Sequence, residues 1–204
     1  HSTYNFPDYG GYFLYQNFNN SFLGESYAVG MHYNFYFLNR HVQLKLAQGF
    51  AYVTNPYDKV ENNKNKAFGT SILDNTDLGL SFRKDNIYKG FGLNAGVMFT
   101  HYSNGRTKSP NSGINTYLLN LGVNYDFDGK SKNVTDTIID KKTYREPIRY
   151  NFVVRAGVNE SPIIGSGQYP FYHIGFYADK RLGRKSALQF GTELFLTQSF
   201  KDFI

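Results

Sequence analysis

The sequence predicts an all-β fold, a transmembrane antiparallel β-barrel of about 8–12 strands with nine legible in the chain. Three observations carry this. Apolar residues recur with period two in segment after segment, separated by turn residues. The 204 residues hold 18 Tyr, 19 Phe and 20 Gly with 6 Pro and no Trp, which suits twisted strands and aromatic girdles and makes poor helices. Mean hydropathy is −0.48 and no stretch is long and apolar enough for a membrane-spanning helix, which excludes that class and leaves spanning by strands open.

The first strand is expected at Tyr9–Phe18. From Tyr27 to Phe37 one face reads Tyr27, Val29, Met31, Tyr33, Phe35, Phe37 and the other Ala28, Gly30, His32, Asn34, Tyr36. After a turn at Asn39-Arg40, Val42, Leu44 and Leu46 alternate with Gln43, Lys45 and Ala47, and the strand runs to Tyr52. The same pattern places strands near 66–83, 89–104, 113–127, 147–159, 170–182 and 187–199. The polar faces are mostly Gly, Ala, Ser, Asn, Gln and Tyr with scattered charges such as Lys45, Asp77, Arg155 and Glu193. That fits a hydrated, crowded lumen, with the aromatic-rich faces toward lipid. The competing architecture is a water-soluble ligand-binding barrel with the greasy face inward, for which the strands are too many and too long.

One domain, residues 1–204, is expected from the length. Short turns at 39–41, 84–87 and 183–185 fall on one end, and longer connections near 19–25, 58–65, 105–112 and 160–168 on the other; the second set should face outward. The long connection 128–145 departs from this rule. No export signal follows His1, so one is expected to have been removed or to lie outside these residues. Nine crossings would end outside at Ile204, and bacterial barrels have even strand counts, so at least one further strand is expected. A net charge of +6 is too dilute to indicate nucleic acid and suits anionic head-groups; the absence of cysteine excludes disulfides and thiolate metal sites.

The chemistry concentrates in Phe99-Thr100-His101-Tyr102-Ser103-Asn104-Gly105-Arg106 and the strand opening at Ile114-Asn115. His101 and Ser103 share a face with Phe91, Leu93, Ala95, Val97 and Phe99; Asn115 shares one with Tyr117, Leu119, Leu121 and Val123. Three polar groups therefore gather at one edge of a lipid-facing surface. His101 lies eleven residues beyond the turn near Gly90, roughly 36 Å of strand and roughly 27 Å of height at a tilt near 40°. It should sit where hydrocarbon meets head-groups, at the depth of acyl esters. Ser103 could act as nucleophile, His101 as its base and Asn115 as the group orienting the imidazole; Asn104 or the Gly105 amide could hold an oxyanion. Arg106 and Lys108, with Lys64 and Lys66, are candidate cations for lipid phosphates. Asp74, Thr76 and Asp77 lie on the adjacent strand, where one could bind a substrate hydroxyl while Asp77 fills the lumen. His32 and His173 fall on lumen faces.

The run His101-Tyr102-Ser103-Asn104 with Pro110-Asn111-Ser112-Gly113-Ile114-Asn115, and the upstream Gly69-Thr70-Ser71-Ile72, resembles the outer-membrane lipid A deacylase (PagL) and acyloxyacyl hydrolase-like family over about residues 66–127. The resemblance implies a barrel in the bacterial outer membrane, a serine hydrolase acting on lipid A, and His101, Ser103 and Asn104 in its catalytic roles. At 115 that family carries glutamate where this chain has asparagine. Outer-membrane phospholipase A is similar at the site, with asparagine as third member and a His-x-Ser-Asn-Gly-Arg run matched through Arg106. That second resemblance alone implies calcium, on the Arg106 carbonyl and Asn111; no carboxylate lies in the loop, and no cofactor or metal is otherwise expected. The expected partner is lipid A or a phospholipid within the membrane, with other outer-membrane proteins if the barrel is instead a non-catalytic subunit of an assembly.

Overall fold

The computed structural model describes residues 6–127, 146–183 and 186–200. It is all-β and antiparallel throughout. Its strands are β1 (Asp8–Asn17), β2 (Glu25–Phe37), β3 (Val42–Val53), β4 (Ile72–Tyr88), β5 (Phe91–Ser103), β6 (Ile114–Tyr125), β7 (Arg149–Glu160), β8 (Gln168–Arg181) and β9 (Ala187–Thr197). None of the described residues forms a helix able to cross a membrane. The connection 128–145, part of the turn 183–185 and the final Phe203-Ile204 lie outside the described residues. The described residues fall into two compact units, the first holding β1–β6 and the second β7–β9 with the stretch Gly105–Pro110.

In the first unit the six strands form a meander in chain order, β1 to β6. Alternation along each strand separates two faces with inverted polarity. On β2, Tyr27, Val29, Met31 and Phe37 are exposed, whereas Ser26, Ala28, Asn34 and Tyr36 are buried. On β6 the contrast is sharpest: Leu119 is 89% and Leu121 88% exposed. The greasy face is the outer one, as the alternation predicts. The covered face carries hydrogen bonds, including Tyr12 Oη to Asn75 Oδ1 at 2.7 Å and Gln16 Nε2 to Thr116 Oγ1 at 3.2 Å. His32 and the buried Asp77 lie on that side.

Two boundaries differ from expectation. Residues 66–71 are not strand. Asn65 Oδ1 accepts from the Ala67 and Phe68 backbone N–H groups, an Asx-type turn that breaks the extended chain. Phe68 then turns into a small core of Ala28, Ala51, Val53, Leu73 and Tyr102, with the Phe18 ring 5.5 Å from it. The polar run at 84–87 is not the turn either. Register shifts between Lys84 and Tyr88, so these residues form a bulge against Gly92, and the hairpin turns at Lys89-Gly90. Both turn residues have positive φ, 46° and 88°, the type I′ conformation that matches strand twist.

In the second unit β7, β8 and β9 form a separate three-stranded meander. Tyr150, Phe152, Val154, Tyr172, Ile174 and Phe176 are exposed on one face. The other face holds His173, within 3.3 Å of Glu193 Oε2 and 3.2 Å of Arg155 Nη1. The phase expected for His173 is observed.

Candidate active site

His101, Ser103, Asn104 and Asn115 stand at the end of the first unit where the connections are long. Pairing of β5 with β6 sets His101 opposite Asn115, and His101 Nδ1 lies 2.6 Å from Asn115 Oδ1. A carboxamide oxygen can only accept, so Nδ1 carries the proton and Nε2 is left as an acceptor. Ser103 is two residues further along β5, half-buried and on the same face as His101. The apolar rows beneath agree with the column read from the sequence. Leu46, Leu78, Phe99 and Tyr117 pair successively across β3, β4, β5 and β6, and the Phe99 and Tyr117 rings are 5.2 Å apart. At the far end Phe91 and Tyr125 form a second aromatic pair, 4.7 Å between centroids.

The two ends of the loop after β5, Asn104 and residues 111–113, are held by polar contacts within the first unit. The Asn104 backbone N–H donates to Asn111 Oδ1 at 3.1 Å, and its side-chain Nδ2 to Thr70 Oγ1 at 3.3 Å. Asn104 is 8% exposed, and its side-chain amide donates into the 66–71 segment. Ser112 and Gly113 donate backbone N–H groups to the Lys66 and Ala67 carbonyls. Gly113 adopts φ +68°, and a Cβ there would stand 2.9 Å from the Tyr102 carbonyl oxygen, 3.2 Å from His101 Cε1 and 3.5 Å from Ser103 Cβ. Only glycine lets the chain pass so near both residues before entering β6.

Gly105, Arg106 and Lys108 are exposed and belong to the second unit. There the Glu160 N–H donates to the Arg106 carbonyl at 2.8 Å, and Glu160 Oε2 accepts from Ser109 N–H. Lys64 and Lys66, expected as further cations, lie in the first unit over the Phe22 and Tyr57 rings, 4.9 and 5.1 Å from the centroids. The two oxygens implied for calcium serve intramolecular bonds, Arg106 O from Glu160 and Asn111 Oδ1 from Asn104. Among the described residues no three His, Asp or Glu side chains are grouped to hold a metal. The loop offers these two neutral oxygens and no carboxylate, a weak donor set for calcium.

Sequence reasoning passed over Gln48. It pairs with Thr76, which pairs with His101, which pairs with Asn115, so one row crosses four strands on the exposed face. Its signal was present: in the greasy phase Val42, Leu44, Leu46, Gln48, Phe50, Tyr52 it is the single polar residue. Asp74 and Thr76 interrupt β4 in the same way, in phase with Ile72, Leu78, Leu80 and Phe82, and Asp74 pairs with Ser103. Asp77 points to the covered face, as expected for a lumen residue.

Comparison with known proteins gives one family. Neither the curated proteins nor the solved structures contain a match to this chain. The family model described as lipid A 3-O-deacylase (PagL) matches residues 1–124, which spans β1–β5 and nearly all of β6, including His101, Ser103 and Asn115. The likeness to outer-membrane phospholipase A rests on the short motif alone. With its all-β architecture, its exposed apolar face and this match over more than half its length, the chain belongs to the PagL family of outer-membrane β-barrel lipid A deacylases.

Proposed function

We propose that the protein is an outer-membrane serine esterase that removes an ester-linked acyl chain from lipid A, working on the lipid-facing side of the barrel. The observation that carries this reading is the 2.6 Å bond from His101 to Asn115, with Ser103 two residues along the same face. Membership of a deacylase family supplies the substrate class. In this reading the exposed apolar rows face hydrocarbon and the His101 row lies at its boundary, where ester groups reside.

His101 Nε2 takes the Ser103 hydroxyl proton as Oγ attacks the ester carbonyl. The tetrahedral oxyanion is held by backbone and side-chain amides, for which Asn104 and Gly105 are the candidates. Collapse breaks the ester C–O bond, and the proton on Nε2 passes to the departing sugar oxygen, leaving an acyl-serine and a hydroxyl on the sugar. Water, deprotonated by the same nitrogen, then releases the fatty acid and restores Ser103. Asn115 holds the ring with Nε2 toward the serine, but as a neutral amide it adds no charge to stabilise the imidazolium. Arg106 and Lys108 are assigned to the lipid phosphates.

Incubation of the purified protein with lipid A, followed by mass spectrometry, should show loss of one acyl chain and release of the matching fatty acid. Ser103→Ala should leave lipid A unchanged. Unchanged lipid A and unchanged phospholipid with folded wild-type protein would replace this reading with that of a non-catalytic barrel in an outer-membrane assembly. Turnover of phospholipid alone would make it a phospholipase.

A further inference from the structure

On the exposed face of the first unit, three polar side chains form a connected hydrogen-bonded group beside the candidate triad. Gln48 Nε2 donates to Asp74 Oδ1 at 2.6 Å. Thr76 Oγ1 lies 2.9 Å from Gln48 Oε1 and 3.4 Å from Asp74 Oδ2. The group adjoins the site by strand pairing, since Thr76 is opposite His101 and Asp74 is opposite Ser103. Neighbouring strands are about 4.8 Å apart, so Asp74 stands one strand spacing from the nucleophile.

An apolar face does not carry a carboxylate, an amide and a hydroxyl without cost, because each loses hydration at the edge of hydrocarbon. The row immediately deeper, Leu46, Leu78, Phe99 and Tyr117, shows what the same strands place there otherwise. Mutual bonding offsets part of the cost and also orients the group. The Gln48 amide is held at both ends, by Thr76 and by Asp74, which fixes the carboxylate plane. A carboxylate offers about four acceptor positions. Gln48 takes one; the single Thr76 hydroxyl proton goes to Gln48 Oε1, the nearer acceptor, and the remainder are available on a pre-set, half-exposed Asp74.

We propose that Gln48, Asp74 and Thr76 form a head-group subsite that accepts a neutral hydrogen-bond donor, a hydroxyl or an amide N–H, carried by the sugar beside the scissile ester. Asp74 is the contact residue; Gln48 and Thr76 position it. The carboxylate repels phosphate and rewards a neutral donor. An acylated amino sugar presents such donors next to its ester, whereas a diacyl glycerophospholipid has none on its glycerol. The subsite would therefore select glycolipid over phospholipid. This rests on the esterase reading above, and it is tested by binding so that the two can fail separately.

The experiment uses the full chain carrying Ser103→Ala in detergent micelles, with folding of every variant checked by the mobility of unheated samples on gels. Lipid A, sucrose monolaurate and a diacyl phosphatidylcholine, whose head-group has no hydrogen-bond donor, are the probes. Asp74→Ala should weaken lipid A binding about 10- to 100-fold, the loss of one charge-assisted hydrogen bond, and Gln48→Leu about 3- to 10-fold. Phosphatidylcholine binding should stay within about twofold. Weakened sucrose monolaurate binding would identify a hydroxyl as the donor, and an effect on lipid A alone an amide. Unchanged lipid A affinity in both folded variants, or equal losses for lipid A and phosphatidylcholine, would overturn the subsite. Wild-type turnover, read separately, decides the esterase reading.

Discussion

Placing arginine at Leu121 tests the orientation on which the catalytic reading depends. Leu121 pairs with Ala95, four residues along β5 from each of the aromatic positions Phe91 and Phe99. Four residues are roughly 13 Å of strand, or about 10 Å of height at the usual tilt, so Leu121 lies midway between the girdles. Its side chain is 88% exposed on the apolar face, in line with Leu119 and Val123 and opposite Ala95. The cost expected for arginine at the bilayer midplane is about 2–4 kcal/mol. At 1.36 kcal/mol per decade this is roughly a 30- to 900-fold fall in the ratio of folded to unfolded protein. Asn120 is the control. It pairs with Gly96 on the covered, polar face, so Asn120→Arg should cost less than Leu121→Arg. Urea titrations of folding into lipid vesicles, followed by the gel mobility of unheated samples, measure both. Equal loss at the two positions, or a larger loss at Asn120, would refute the assignment of faces and remove the site from the lipid side.

His101→Ala should reduce lipid A hydrolysis nearly as far as Ser103→Ala, while Asn115→Ala should cost roughly 10- to 1000-fold in kcat, because the imidazole still reaches the serine without its orienting acceptor. Asn115→Glu restores the family's residue and, by adding a charge beside the imidazolium, should raise kcat; a fall would show that the site is built for the amide. Gly113→Ala should lower both stability and activity, since φ +68° costs an alanine about 1–2 kcal/mol and its Cβ would press on the Tyr102 carbonyl and His101; thermal unfolding and lipid A turnover check the two effects. Chelator should leave initial rates unchanged within about twofold, whereas restoration by added calcium would show that the Arg106 loop binds the ion after all.

The strands were legible because their signal is local. Tyr27 to Phe37 declares both its conformation and its two faces without reference to any other segment, and the exposed apolar column on β5 and β6 follows from the same rule. Where a local signal had two readings, the sequence misled. The residues 66–71 have strand-like composition, yet the Asn65 side chain caps their amides and turns Phe68 into the core. Lys84 to Ile87 have turn-like composition, yet Asp85 receives a bond from Asn124 at 2.7 Å and the stretch stays in the sheet as a bulge.

For the site, the sequence by itself determined that His101 and Ser103 share a face, that this face is apolar below them, and that Asn115 opens the next strand in the same phase. All of this follows from period-two geometry within one strand. Only the tertiary structure decided which residues stand side by side. Gln48, Thr76, His101 and Asn115 are separated by long stretches of chain, and their common row depends on three strand registers. Register is set by hydrogen bonding across strands and by how intervening connections fold, including the Asn65 turn and the Gly113 passage. A slip of one residue would send Gln48 and Thr76 to the opposite face without altering any strand's own pattern. The polar row is therefore a property of the sheet, although each residue in it broke the apolar alternation of its own strand.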